Sequence, residues 1–328
     1  RSTLFPYTTL FRSLADAAQT TEDIIIRIGG ISPFTGPYAQ DGADMKNSCE
    51  IISNQLRKQG GITLKDGRKA QIEFIFEDDE ADPEKGVNAA NKLIADGVMG
   101  IIGPDFSSVA LAAGEIAQDK QIPMLVTMAT NVAVTQIGDF VFRACFIDSY
   151  QAKVAAKYCM EKGYARIGIL TNNASDYSMG LVEEFRPYYV SLGGEIAAIE
   201  TFSDADGGSV TDFNVQIAKL KNADVDAVFM PVQWSNVPDI VNQAYQSGFE
   251  IPFIGTDGWD ALTPGMINAD AQKYVVFTSP FTAESTDPIS QAYVTEYRSR
   301  FSLEPTGNST YAYDALPKIG RASCRERV

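Results

Sequence analysis

The chain has 328 residues, 45% hydrophobic and 21% charged, which is the composition of a globular protein with a sizeable core and room for about two domains. Its 27 Lys and Arg stand against 42 Asp and Glu, a formal net charge of −15, and no basic cluster in the body would hold a nucleic acid. Histidine is absent, which excludes a Ser-His-Asp triad, an imidazole base and a His-containing zinc site; no apolar run approaches the ~18–20 residues of a membrane span.

The two ends differ from the acidic body. Arg1 to Ser13 hold two Arg and no acid in no regular period, and Ile319 to Val328 hold three Arg and one Glu. Both resemble translated adapter tails, so 1–13 and 319–328 are set aside as non-native. An export signal and part of the C-terminus are then expected to be missing, and Leu14 to Ala18 has the small-residue look of the segment just after a secretory signal. The four cysteines, at 49, 145, 159 and 324, form no C-x-x-C pair; the plain reading is three small buried hydrophobes and one tail residue, with no metal site.

Between Asp23 and Ala315, short β-branched runs alternate with amphipathic stretches. Ile24–Ile28 is expected as a strand closed by Gly29-Gly30, and Asp41–Gln59 as a helix on the spacing of Met45, Cys49, Ile52 and Leu56. Ile72–Phe76 is a second strand, followed by a helix opened by Pro83. Val98–Ile102 is a third, ended by Gly103-Pro104; Ser107-Ser108 then caps a helix running to Asp119, and Met124–Val126 is a fourth strand. The pattern restarts with a helix at Tyr150–Lys162, the strand Ile167–Leu170 and a helix over about Ser178–Ser191. Strands at Glu195–Glu200, Ala227–Met230, Phe253–Gly255 and Tyr274–Phe277 follow, with helices at Phe213–Leu220 and through Ile240 to Gly248. Alternation of this kind implies an α/β fold of two doubly wound, Rossmann-like parallel-sheet lobes with a ligand cleft between them. The expected lobes are 23–147 plus 281–318 and 148–280. Crossovers are expected near Cys145–Tyr150 and Phe277–Phe281, with a third past the present end; a last helix starts near Ser309.

Ligands bind such sheets beyond the carboxyl ends of the strands. Ser107-Ser108 sits at a helix start that suits a carboxylate, although a plain N-cap accounts for it too. Met128–Asn131 is a small polar loop. Asp257, between glycines after an apolar strand, suits an ammonium or simply a turn. Tyr177 and Trp234 either wall a pocket or pack between lobes. The acidic run Glu77–Asp82 lacks the spacing of a calcium loop and precedes a helix, so it reads as a solvated cap. Gly29 to Gly36 is neither a dinucleotide nor a Walker fingerprint, and no nucleophile elbow exists.

Taken in order, several phrases resemble the branched-chain amino-acid (Leu/Ile/Val) binding proteins of ABC importers, which are type I periplasmic binding proteins. They are Ile28–Gly42, Phe76–Ala90, Ile101–Pro104 with Ser107-Ser108, Pro123–Thr130, Tyr177–Gly180, Gln243–Gly248 and Ile254–Gly258. The resemblance spans about 24–316. It implies that Ser107, the Ala129 backbone and Thr130 hold an amino acid's carboxylate, that Asp257 holds its ammonium and that Tyr177 closes over it. Asp41 falls where an aromatic is common, and the second-lobe aromatic falls on Gln233 or Trp234; both departures point to a ligand more polar or larger than leucine. The family's frequent disulfide positions are Ala81 and Phe106, so that bridge is absent. The resemblance therefore implies a non-catalytic, monomeric receptor without cofactor or metal, in the periplasm or on the extracytoplasmic surface. Its expected partners are an amino acid and the permease subunits of an ABC transporter, and no nucleic acid. One rival reading is a ligand-sensing domain of the same fold recognising an amide or amino acid; another is an enzyme on a doubly wound scaffold.

Overall fold

The structure, a computed structural model, describes residues 24–64, 66–204 and 209–315. The proposed tails, Cys324 and the chain beyond Ala315 lie outside these. The first β-branched run continues through its glycines: β1 spans Ile24–Ser32 and pairs in parallel along its length with β3, Lys69–Asp78. The glycines are there for packing. A Cβ on Gly29 would lie 2.8 Å from the Leu93 side chain and one on Gly30 2.5 Å from the Phe76 ring, so bare backbone lets both close on the strand.

The first sheet adds β2 (Ile62–Thr63), β4 (Ile101–Ile102), β5 (Met124–Val126) and β6 (Val141–Arg143), in the order β2-β3-β1-β4-β5-β6; only β2 at the edge is antiparallel. The second holds β7 (Arg166–Asn172), β8 (Glu195–Phe202), β9 (Ala227–Phe229), β10 (Phe253–Gly255) and β11 (Val275–Phe277), all parallel, in the order β11-β10-β9-β7-β8. β2 and β6 escape a sequence reading because two or three residues carry no period.

Helices cover both faces of each sheet, as buried parallel strands require. On the first, α2 (Pro83–Ala95) and α3 (Ser107–Lys120) bury Ala90, Leu93, Ala110 and Ala113, while α1 (Ala39–Lys58) and a helical stretch at 307–315, α9, bury Met45, Cys49, Ala312 and Ala315 on the other face. On the second, α4 (Asp148–Glu161) and α5 (Asp176–Ser191) enclose Ala155, Leu181 and Phe185; α6 (Asn214–Asn222) and α7 (Val237–Gln246) enclose Ile217, Ile240 and Ala244. Residues 144–147 carry the chain from the first sheet to α4. Residues 278–287 return it to α8 (Pro288–Phe301), whose Tyr293 and Tyr297 pack on Ile51 of α1. α8 had no sequence signal because its apolar side is little more than Tyr293, Val294 and Tyr297.

Two helix starts differ from expectation or refine it. Asp82 caps α2, its carboxylate accepting from the Lys85 N–H at 2.8 Å. The N-cap of α3 is Phe106, with no side-chain bond, so Ser107 is the first helical residue and its hydroxyl is not spent on a cap. Cys49 and Cys159 are buried, Cys145 half-buried, and all three are free thiols.

Candidate functional site

A cleft opens where the loops at the carboxyl ends of the two sheets meet. Counting the solvent at its mouth it spans about 460 Å³, with Phe106, Ser107 and Met128 on the first-sheet side and Tyr177, Gln233, Trp234 and Gly258 on the second. Four carboxylates also line it: Asp41, Asp105, Asp257 and Asp260. Gly103 sets the first-sheet wall. Its φ is +89°, and a Cβ would lie 2.0 Å from the Ile31 carbonyl oxygen, so only glycine turns the chain here from β4 into α3. The first N–H groups of α3 lack intrahelical partners, and the helix dipole adds partial positive charge to them. The Ser107 hydroxyl stands beside them, accepting only a long 3.4 Å bond from the Asn131 N–H.

The opposite wall is organised around Asp257, in the turn after β10. Its Oδ1 accepts from the Tyr177 hydroxyl at 2.7 Å and from Gln151 Nε2 at 2.9 Å, while Oδ2 is buried without a partner. Tyr177 stands in the first turn of α5, and its hydroxyl oxygen also contacts Thr256 Oγ1 at 2.7 Å and accepts from the Gly258 N–H at 2.9 Å. Gln151 grips Asp257 by both backbone and side chain. Its Oε1 accepts from the Asp257 N–H at 3.2 Å, and its Nε2 donates to Asp148 Oδ1 at 3.0 Å as well as to Asp257. Burial pushes the Asp257 carboxyl up to about 6, against the hydrogen bonds from Tyr177 and Gln151. Asp148 is held up at about 7, mainly by burial, and its Oδ2 is also unpartnered.

Nearer the first sheet, neighbouring donors are committed to carboxylates. The Ser32 and Thr127 hydroxyls both donate to Asp105, whose carboxyl burial still raises to about 6. Asp44, behind Asp41, accepts from Gln40 at 3.0 Å, Tyr297 at 2.8 Å and Thr306 at 2.6 Å. Asp260 accepts from the Ser279 hydroxyl at 2.7 Å and from the Gly307 N–H. Asp41 is raised well above the usual carboxylate range by burial and then by repulsion from Asp105 and Asp44; the Trp234 indole N–H lies beside it without reaching hydrogen-bond geometry. Asn308 donates from Nδ2 to the Asp41 carbonyl at 3.2 Å, leaving its buried Oδ1 unpartnered.

Of the residues singled out in the sequence, Ser107, Tyr177, Asp257, Asp41, Gln233 and Trp234 line the cleft; Ala129 and Thr130 do not. Arg143 of β6 draws their loop back, donating to the Ala129 carbonyl at 2.8 Å and the Asn131 carbonyl at 2.6 Å. Thr130 is wholly buried, with its hydroxyl beside the Asp148 carboxylate. An aromatic does rise from the first loop, but it is Tyr38. Its ring lies 4.6 Å from that of Phe106 and 5.9 Å from that of Trp234, and its hydroxyl meets Ser235 Oγ at 2.9 Å. Gln151, Asp105, Asp260, Thr306 and Asn308 escaped the sequence reading. Only Asp105, two residues before a helix on a post-strand loop, carried a local signal.

A family model described as periplasmic binding protein matches residues 25–323. The chain belongs to the periplasmic binding protein family. It is 31% identical over 272 residues, covering 83% of this chain and 71% of the other, to a Leu/Ile/Val-binding protein of Rhizobium johnstonii. Over 313 residues it is 29% identical to the leucine-, isoleucine-, valine-, threonine- and alanine-binding protein of Pseudomonas aeruginosa, covering 95% of this chain and 80% of the relative. Among solved structures, the branched-chain amino acid transporter substrate binding protein of Streptococcus pneumoniae, in complex with isoleucine, matches with a TM-score of 0.80 at 27% identity; the match covers 92% of this chain and 83% of that one. No helix among the described residues of this periplasmic binding protein is long and apolar enough to cross a membrane.

Proposed function

We propose that the chain is the extracytoplasmic receptor of an ABC importer, which closes around an amino acid and presents it to permease subunits. One observation carries this reading. Across a single cleft, the open N–H groups and free hydroxyl at the start of α3 face an aspartate turn with an unpartnered buried oxygen. The first suits a carboxylate and the second an ammonium, and in a water-poor cleft both bonds are charge-assisted. Ser107 and the α3 N–H groups take the carboxylate, Asp257 the ammonium, and Tyr177 fixes Asp257 from the second lobe; Ala129 and Thr130 support this wall from behind. The relatives, binding proteins by name, support a binding role over catalysis.

The lobes we propose are 23–147 with 281–318, and 148–280, hinged at the two crossing segments. Closure then brings Asp257 and Tyr177 onto a ligand seated at Ser107. A thermal-shift screen of the chain against amino acids, amides, sugars and short peptides tests the assignment. Stabilisation by amino acids is expected, since a ligand binding only the folded state raises the unfolding temperature. Stabilisation by sugars alone, or by nothing in the screen, defeats it.

A further inference from the structure

Resting on that reading, we infer that the amino acid is one with a cationic side chain, its distal charge held by Asp41 and Asn308 at the first-lobe end of the cleft. The geometry of donors carries this. Around this end, the hydroxyl and amide donors of Ser32, Thr127, Thr306, Tyr297 and Gln40 are committed to Asp105 or Asp44, and Ser279 to Asp260. What remains at this end is the Asp41 carboxyl and the Asn308 Oδ1, with the Trp234 indole N–H the one unpartnered donor beside them. Asn308 is 3% exposed and lines the cleft, its amide nitrogen donating to the Asp41 carbonyl and lying near the Asp105 carboxyl, its Oδ1 without any partner. A buried acceptor left bare is costly, and a ligand N–H satisfies it.

Charge points the same way. No Lys or Arg lines the cleft, and every ion pair found among the described residues lies elsewhere. Asp41 has only the Trp234 indole beside it, and its neighbours Asp105, Asp44 and Asp260 all repel its charge. Asp257 alone answers the ammonium common to all amino acids, and of the other cleft carboxyls Asp105 and Asp260 already hold donors, so Asp41 is the one left to take a second cation. The rings of Phe106 and Trp234 supply apolar flanks along which methylenes pack while the charged tip reaches the carboxylate. Leucine would instead bury its methyls against Asp41 and Asn308, desolvating both with no compensating bond.

Titration calorimetry on the whole chain decides it, with lysine, ornithine, arginine, norleucine, leucine and 1,5-diaminopentane as probes. A cationic amino acid is expected to bind at least about 30-fold more tightly than norleucine, the scale for a buried charge given its partner. In Asp41→Asn, which keeps shape and removes charge, that preference should collapse while norleucine affinity holds or improves; norleucine binding then reports that the variant is folded. Norleucine or leucine binding as tightly as lysine, or an undiminished lysine preference in the variant, overturns the distal cation site and leaves the amino-acid reading standing. Diaminopentane binding more tightly than every amino acid overturns the amino-acid reading and with it this inference. Binding of none of the probes overturns both.

Discussion

The two walls of the cleft treat their carboxylates in opposite ways. Asp257 is braced: Tyr177 and Gln151 fix one oxygen and leave the other bare, so its geometry is set before any ligand arrives. Asp41 is unbraced and sits among other acids, while its neighbour Asp105 is quenched by two hydroxyls. The same residue type is thus a fixed anchor, an open carboxyl or a satisfied structural group, according to which donors the fold brings to it. Preorganisation of this kind lowers the ordering cost of binding at the braced wall.

The largest expected effect comes from removing the braced carboxylate. Asp257→Ala should weaken amino-acid binding by at least about 30-fold in calorimetry, the cost of stranding a buried ligand ammonium, while circular dichroism stays that of the parent. Unchanged affinity would take Asp257 out of the ammonium role and erase the contrast between the walls.

The brace itself makes a smaller, pH-dependent prediction. A carboxyl held at about 6 must lose its proton to pair with an ammonium, so affinity should rise with pH through about 6 and level off above it. Asp105 at about 6 and Asp148 at about 7 titrate in the same window, so the observed midpoint belongs to the group rather than to one residue. Gln151→Met removes a donor that lowers both Asp257 and Asp148; the midpoint should move to higher pH, with affinity at neutral pH down about tenfold, the size of one lost hydrogen bond to a charged group. A midpoint that stays put would show that Gln151 only fills space. For the empty protein the sign is reversed. Raised carboxyls bind protons more tightly when folded, so these groups favour the folded state most below the ordinary carboxylate range, and that contribution is lost as pH rises through about 6.

The smallest expected effect lies away from both walls. Asp82→Ala removes the cap of α2 and should lower stability by about 1 kcal/mol in denaturant unfolding, leaving ligand affinity unchanged. A changed affinity would mean that cleft and scaffold are coupled more widely than the Asp257 and Asp41 networks imply.

Much of this was legible in the chain, for local reasons. Alternating β-branched and amphipathic segments announce two wound parallel sheets because burial on both faces demands those patterns. Ser107, Tyr177 and Asp257 were found because each comes soon after a strand, and in such sheets those positions face the ligand. Gln151 and Asn308 lie within helical stretches, far in sequence from the turns they serve, and no local spacing marks them. Likewise, the sequence places Thr130 on a promising loop, and only the position of Arg143 on the neighbouring strand decides that the loop is drawn back from the cleft.

The sequence by itself determined most of the elements, the short β2 and β6 and the weakly apolar α8 excepted, together with the count of acids and the lack of any histidine: these follow from residue type and period. Only the tertiary structure decided which acids are anchored, quenched or open. Many donor and acceptor partners in this cleft lie far apart in the chain, by 267 residues for Asn308 and Asp41, and the state of a buried carboxylate is fixed by the atoms within hydrogen-bond reach of it rather than by its neighbours along the chain.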